Sequence, residues 1–185
     1  MSVTSCSVSQ ERSVTYHLFA VIAALALLAM PRFVVSAGIR ADTVLVDTNR
    51  IRSTAGAPPL HMDTALTAAA QQRAEEILTR QHFAHERPNG TSFATAAQDA
   101  RYPFSRVAEN LAIAFTAEDP LMRAWDQSPD HRRNLWNTQY TDTGIGIASG
   151  DFAGIPTIVV VQMFGERQAP NLRLWHALPS GLHHA

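Results

Sequence analysis

Three residues in this chain have side chains suited to chemistry and occur in unusual settings: His85, Glu109 and His131. His85 lies in the polar loop "HFAHERPNGTSF". Glu109 opens "AENLAIAF", where a carboxylate precedes residues that should be buried. His131 follows Ser128, Pro129 and Asp130 in "SPDHRRNLW". A carboxylate entering a core must be paired, protonated or metal-bound, because burying it bare costs roughly several kcal/mol. Arg106 or Arg101 is the expected ionic partner. Two imidazoles and a carboxylate suit a divalent metal such as zinc with an open coordination position. The same set suits acid–base chemistry, with Glu109 polarising one histidine. Each residue also has a plainer reading: His85 as an exposed loop histidine, His131 as part of a helix start, Glu109 as half of a structural ion pair. The separations of 24 and 22 residues match no local metal motif such as H-E-x-x-H.

Other chemistries find less support. Ser105, Ser128 and Ser149 are available, but none stands in a G-x-S-x-G elbow. "TGIGIASG" lacks the lysine of a phosphate loop and follows a strand pattern. The single cysteine, Cys6, precedes the long apolar run near the N-terminus, which excludes a cysteine nucleophile or zinc–cysteine site beyond that run. His61, His82, His176, His183 and His184 read as surface or tail residues.

The elements that must position these groups follow from periodicity. In 42–54, Val44, Leu45, Thr48 and Ile51 share one helical face, and Gly56 with Pro58-Pro59 ends that helix. Asp63 is the expected N-cap of a longer helix, with Leu66, Ala69, Ala70, Arg73, Ala74, Ile77 and Leu78 on one face. Thr91 or Ser92 should cap a short helix through Asp99. A strand-like stretch runs through "AENLAIAF". Thr116 to Pro120 reads as a helix start with acids in its first turn, turning Leu121, Ala124 and Trp125 inward. Ser128 as N-cap and Pro129 at the first helical position begin another short helix. "TGIGIAS" and "PTIVVVQMFG", joined by "GDFAG", read as an antiparallel hairpin. The expected class is α+β, with helices packed on a small antiparallel sheet.

At 185 residues, 46% hydrophobic and 17% charged with a formal net charge of -1, the chain suits one globular domain. That balance gives no electrostatic reason to expect nucleic acid as a partner. Residues 18–30, "LFAVIAALALLAM", form an apolar run shorter than the about 20 residues that cross a bilayer. With "VSA" before Gly38, the run suits a cleaved secretory signal, although an uncleaved N-terminal anchor stays open as the one route to a membrane. The expected division is 1–37 signal or anchor, 38–166 folded domain and 167–185 C-terminal tail. The domain is expected to be secreted or periplasmic and monomeric.

Taken in order, "VDTNRIRSTAGAPPLHMDTALTAAAQQRAEEI", "HFAHERPNGTSF", "AENLAIAF", "AWDQSPDHRRNLW", "TGIGIAS" and "VVVQMFG" resemble the bacterial CAP superfamily. Cysteine-rich secretory proteins and plant pathogenesis-related proteins belong to it. The resemblance spans about residues 43–165. It implies a three-layer α-β-α sandwich with a surface cleft, which in eukaryotic relatives holds two histidines and two acids able to bind a divalent metal loosely. Matched by motif, His85 and His131 take the histidine positions. Glu109 takes the acid of the family's G-E-N, written here Ala108-Glu109-Asn110. Ser128 stands where the second acid would be, and Asp126 or Asp130 is the nearby candidate to replace it. The implied cleft is therefore His85, Glu109, His131, Ser128 and Asn110, with zinc on His85, His131 and Glu109 as the possible cofactor. The resulting expectation is a non-enzymatic exported domain that presents this cleft to an extracellular or envelope ligand, whether lipid, peptide or glycan. Two alternatives stand beside it. One is a metal-dependent peptide or cell-wall hydrolase using His85, Glu109 and His131. The other is a lipid or sterol carrier, with Phe104, Phe115 and Leu121 as scattered groove candidates.

Overall fold

The computed structural model describes residues 38–169. The apolar run with the cleavage site expected after it, residues 170–185, and with them His176, His183 and His184, lie outside the described residues. The described elements are α1 (Ala41–Thr54), β1 (His61–Met62), α2 (Thr64–Arg80), α3 (Ala94–Asp99), β2 (Phe104–Ile113), α4 (Glu118–Gln127), α5 (Pro129–Trp136), β3 (Asp142–Phe152) and β4 (Ile155–Arg167). The sheet order is β1-β3-β4-β2. It is antiparallel except for β1, which runs parallel to β3 through two residue pairs. Among the described residues no helix is long and apolar enough to cross a membrane.

Strand alternation divides the interior into two cores. On β4, Val160 and Phe164 face α1, α4 and α5, while Val159, Val161 and Met163 face α2 and α3. Trp125, Leu121 and Leu135 fill the first core; Leu66, Ala69, Ala70, Ala74 and Ile77 fill the second. The result is the α-β-α sandwich the resemblance implied. Each large apolar side chain buried in it contributes about 1.5–3 kcal/mol relative to exposure.

Local chemistry explains the boundaries. Asp63 accepts hydrogen bonds from the backbone of Ala65 (2.8 Å) and Leu66 (3.0 Å), the N-cap expected of α2. The alanines of α2 let it lie against β3 at Gly144 and Gly146, where a Cβ would overlap the backbone at Leu66 and Ala70. The hairpin turn is tighter than "GDFAG" suggested. Only Ala153 (φ 54°) and Gly154 (φ 82°) separate the strands, the two left-handed residues that match strand twist.

Several helix starts differ from expectation. Phe93, not Thr91 or Ser92, occupies the N-cap of α3, although the Ser92 hydroxyl accepts from Ala94 N at 3.2 Å. Ala117 caps α4 without a side-chain bond, so its start relies on Glu118 and Asp119 in the first turn. Ser128 does hold the N-cap of α5, but its hydroxyl makes no capping bond. Its backbone ends α4 while opening α5, so Pro129 and Asp130 supply the start signal. The domain also extends past 166: Arg167 ends β4 and pairs with Asp63 and Asp142, and Gln168 N donates to Pro103 O (3.0 Å).

Candidate functional site

The site is built around β2, which forms one edge of the sheet. An edge strand leaves alternate carbonyls without ladder partners. Here side chains from α4 and α5 cover them: Trp125 Nε1 donates to Leu111 O (3.1 Å) and Asn134 Nδ2 to Glu109 O (3.4 Å). Asn110 is fully buried, accepts from Asn134 Nδ2 (2.8 Å) and donates to His131 O (3.3 Å). Asn110 is thus a tie beneath the site that fixes α5 against the strand.

The far end of α5 is held by a second buried group. Arg52 is fully buried and donates to four carbonyls: Pro58 (2.8 Å), Leu135 (2.7 Å), Asn137 (3.0 Å) and Tyr140 (3.1 Å). Leu135 belongs to the last turn of α5 and Asn137 follows its end, where carbonyls lack helical partners and a cation is favourable. Burial lowers the guanidinium's basicity. On the first turn of the helix thus anchored, His131 is half-buried and its ring lies 6.4 Å from that of Trp125. Its Nδ1 is buried without a partner among the described residues. Burial, then the repulsion that His85 would exert if both rings were protonated, holds its basicity below the usual imidazole range, against a smaller opposing effect of Asp130.

His85 approaches from the opposite layer. Its Nδ1 meets Glu109 Oε2 at 2.9 Å, and its ring sits edge-on to Phe93 at 6.1 Å. Glu109 Oε1 accepts from Arg73 Nε at 3.0 Å, with both side chains fully buried. Arg73, not Arg106 or Arg101, is therefore the ionic partner of Glu109; Arg106 instead faces Glu166 at 3.7 Å. Arg73 also donates to Glu76 (2.7 Å) and to Ala84 O (2.7 Å), the backbone just before His85. Arg87 continues the network to Glu76 (3.1 Å), Thr95 (3.0 Å) and Asp99 (2.9 Å). Burial pushes the Glu76 carboxyl up, but its bonds to Arg87 and Arg73 win and leave it below its ordinary range.

His85 and His131 thus stand on the two sides of β2, and Glu109 touches His85 directly. The other candidates divide. Ser128 is half-buried at the α4–α5 junction. Asp130 is exposed and pairs with Arg133 (3.3 Å). Asp126 lines a hollow of about 430 Å³ between α1 and α4, with Arg50, Ile51 and Met122, and faces Arg132 at 3.8 Å. Neither acid restores a fourth member. The groove candidates do not converge: Leu121 is fully buried in one core beside Phe115, while Phe104 packs on the other. His61 is exposed as expected, whereas His82 is half-buried with Nε2 unpartnered.

The family model for the cysteine-rich secretory protein (CAP) family matches residues 45–164. The chain belongs to that family. Curated relatives include two Bacillus subtilis proteins, the uncharacterized protein YkwD (26% identical over 99 residues) and the uncharacterized membrane protein YlbC (26% over 100 residues). Each match covers 54% of this chain but only 38% and 29% of those proteins, so this chain matches about a third of their length. Among solved structures, an extracellular SCP-domain protein of Bacillus anthracis superposes with TM-score 0.61 at 25% identity, over 69% of this chain and 40% of that one. An outer surface protein of Borrelia burgdorferi gives 0.60 at 21% identity, over 69% and 92%. The CAP fold is common to all three.

The donor set expected for zinc fits this CAP domain poorly. Among the described residues no three His, Cys, Asp or Glu side chains are grouped to hold a metal ion. Both oxygens of Glu109 already face hydrogen-bond partners. Reading Glu109 as the acid was possible from its motif; reading Arg73 was harder. The available signal was a guanidinium on the alanine face of α2, which must find a carboxylate if buried.

Proposed function

We propose that this chain is an exported CAP domain that captures a polar extracellular or envelope ligand between His85 and His131 without turning it over. The observation that carries this reading is the way the two imidazoles are held. His85 bonds only to Glu109 and His131 has no side-chain hydrogen bond, so among the described residues no hydroxyl or thiol is poised for deprotonation by either ring. Activation of a serine or threonine by an adjacent histidine uses such a pair within about 3 Å. His85, with its side chain 55% exposed, offers a ring nitrogen to a bound molecule, and His131 stands half-buried on the other side of β2. The extracellular and outer-surface relatives of like fold support an exported location.

The test is incubation of the purified protein with casein and with muropeptides, followed by mass spectrometry. The reading expects no cleavage product above the level given by the His131→Ala variant. Cleavage that disappears in His131→Ala would establish an enzyme and end the proposal.

A further inference from the structure

Glu109 occupies the position at which an acid would complete a cation site, yet its surroundings give it another task. Arg73 is held on three sides, by Glu109, by Glu76 and by the Ala84 carbonyl. Its side chain, like that of Glu109, is fully buried. The buried ionic set comprises Arg73 and Arg87 against Glu76 and Glu109, two cations and two anions, with Asp99 joining at a more exposed margin. The interior set is therefore balanced before any ion arrives. A divalent cation at Glu109 would add two positive charges beside the guanidinium, in a medium that screens repulsion weakly.

We propose that Arg73 is a positioning residue that withholds Glu109 from divalent cations and makes it a fixed hydrogen-bond acceptor for His85. Two contacts act together. Arg73 holds the carboxylate at Oε1, leaving Oε2 to accept from His85 Nδ1–H. It also fixes the Ala84 carbonyl, and thereby the loop backbone from which His85 projects. In its neutral form the imidazole then carries its proton on Nδ1 and keeps Nε2 free, as a carboxylate behind a histidine generally enforces. A ligand reaching His85 Nε2 must offer it an O–H or N–H.

This inference rests on the reading of His85 as a cleft residue, but cation affinity is measured independently of ligand capture, so the two can fail separately. Zinc chloride is titrated calorimetrically into the full chain and its variants. Glu109→Gln keeps the shape of the side chain and removes its charge; the expected zinc affinity is unchanged within about twofold, or undetectable in both proteins. Arg73→Gln should raise zinc affinity at least tenfold by releasing the carboxylate, and Arg73→Lys, which retains a cation, should return it toward the wild-type value. A fall of tenfold or more in Glu109→Gln relative to wild type overturns the proposal. That comparison needs no Arg73 variant, so it decides the question even if Arg73→Gln does not fold.

Discussion

Glu109 and Asn110 are adjacent in sequence but serve opposite faces of β2, and the two halves of the site are built by different means. On the α2 face, His85 is placed by charge: a buried carboxylate, a buried guanidinium, and a second arginine behind them. On the α5 face, His131 is placed by the neutral amides of Asn110 and Asn134 and by one buried cation, Arg52, whose partners are backbone carbonyls rather than carboxylates. The ionic half fixes which nitrogen of its histidine bears the proton. The amide half fixes only the helix that carries its histidine, and leaves the ring partly desolvated and without a hydrogen bond. One strand thus presents two imidazoles in different electrostatic states.

The contrast can be broken most forcefully at Arg73. Arg73→Met should cost about 3–5 kcal/mol in urea unfolding, because it strands a buried carboxylate. Adding Glu109→Leu should recover much of that loss, and a double variant no more stable than Arg73→Met would remove the ionic pairing from the account. Glu109→Lys, which sets two cations side by side, should melt well below Glu109→Leu; equal melting temperatures would mean that Glu109 is not buried against Arg73. On the amide side the effect should be smaller. Asn110→Ala takes the side-chain donor from the His131 carbonyl and leaves the Asn134 amide only its longer bond to Glu109 O, and should cost about 1–3 kcal/mol.

A further expectation concerns pH. His131 has a lowered basicity in the folded state, while the unfolded chain protonates it near the ordinary value of about 6.5. Between that value and the lower folded one the unfolded state binds more protons, so acidification through this window destabilises the fold, with no further loss below it. His131→Asn should lose this part of the pH dependence, visible as a shallower fall of the urea midpoint below about pH 6.5. An unchanged slope would argue against a desolvated ring. Smallest of all is Ser128→Ala. A working serine cap contributes about 0.5–2 kcal/mol, but Ser128 makes no such bond, so the variant should shift stability by less than about 0.5 kcal/mol.

What could be read in the sequence was what local periodicity encodes. The spacing of Leu66, Ala70 and Ile77, the Asp63 cap and the alternation of "PTIVVVQMFG" each state a local geometry, and each appears in the fold. The three-layer arrangement, and the expectation that His85, Glu109 and His131 share a cleft, came from the resemblance, which orders motifs that periodicity alone cannot relate. The unread parts depend on layers meeting. Arg73 and Glu109 are 36 residues apart and join only when α2 settles on the sheet. β1 is two residues long, and its pairing with β3 has no periodic signature. Arg52 lies outside the apolar set that marks its helix, and three of its four carbonyl partners are brought in by the end of α5 and the segment after it. Ser128 illustrates the opposite error: the residue type suits a cap, but a backbone shared between two helices leaves its hydroxyl without that role.

The central claim is that buried charge, set by Arg73 through Glu109, fixes the proton of His85. Nitrogen-15 NMR of the histidine side chains in the wild-type protein at neutral pH tests it most directly. The account predicts that His85 shows a protonated Nδ1 and a bare Nε2. A His85 spectrum with the proton on Nε2, or one averaged between the two tautomers, would contradict it.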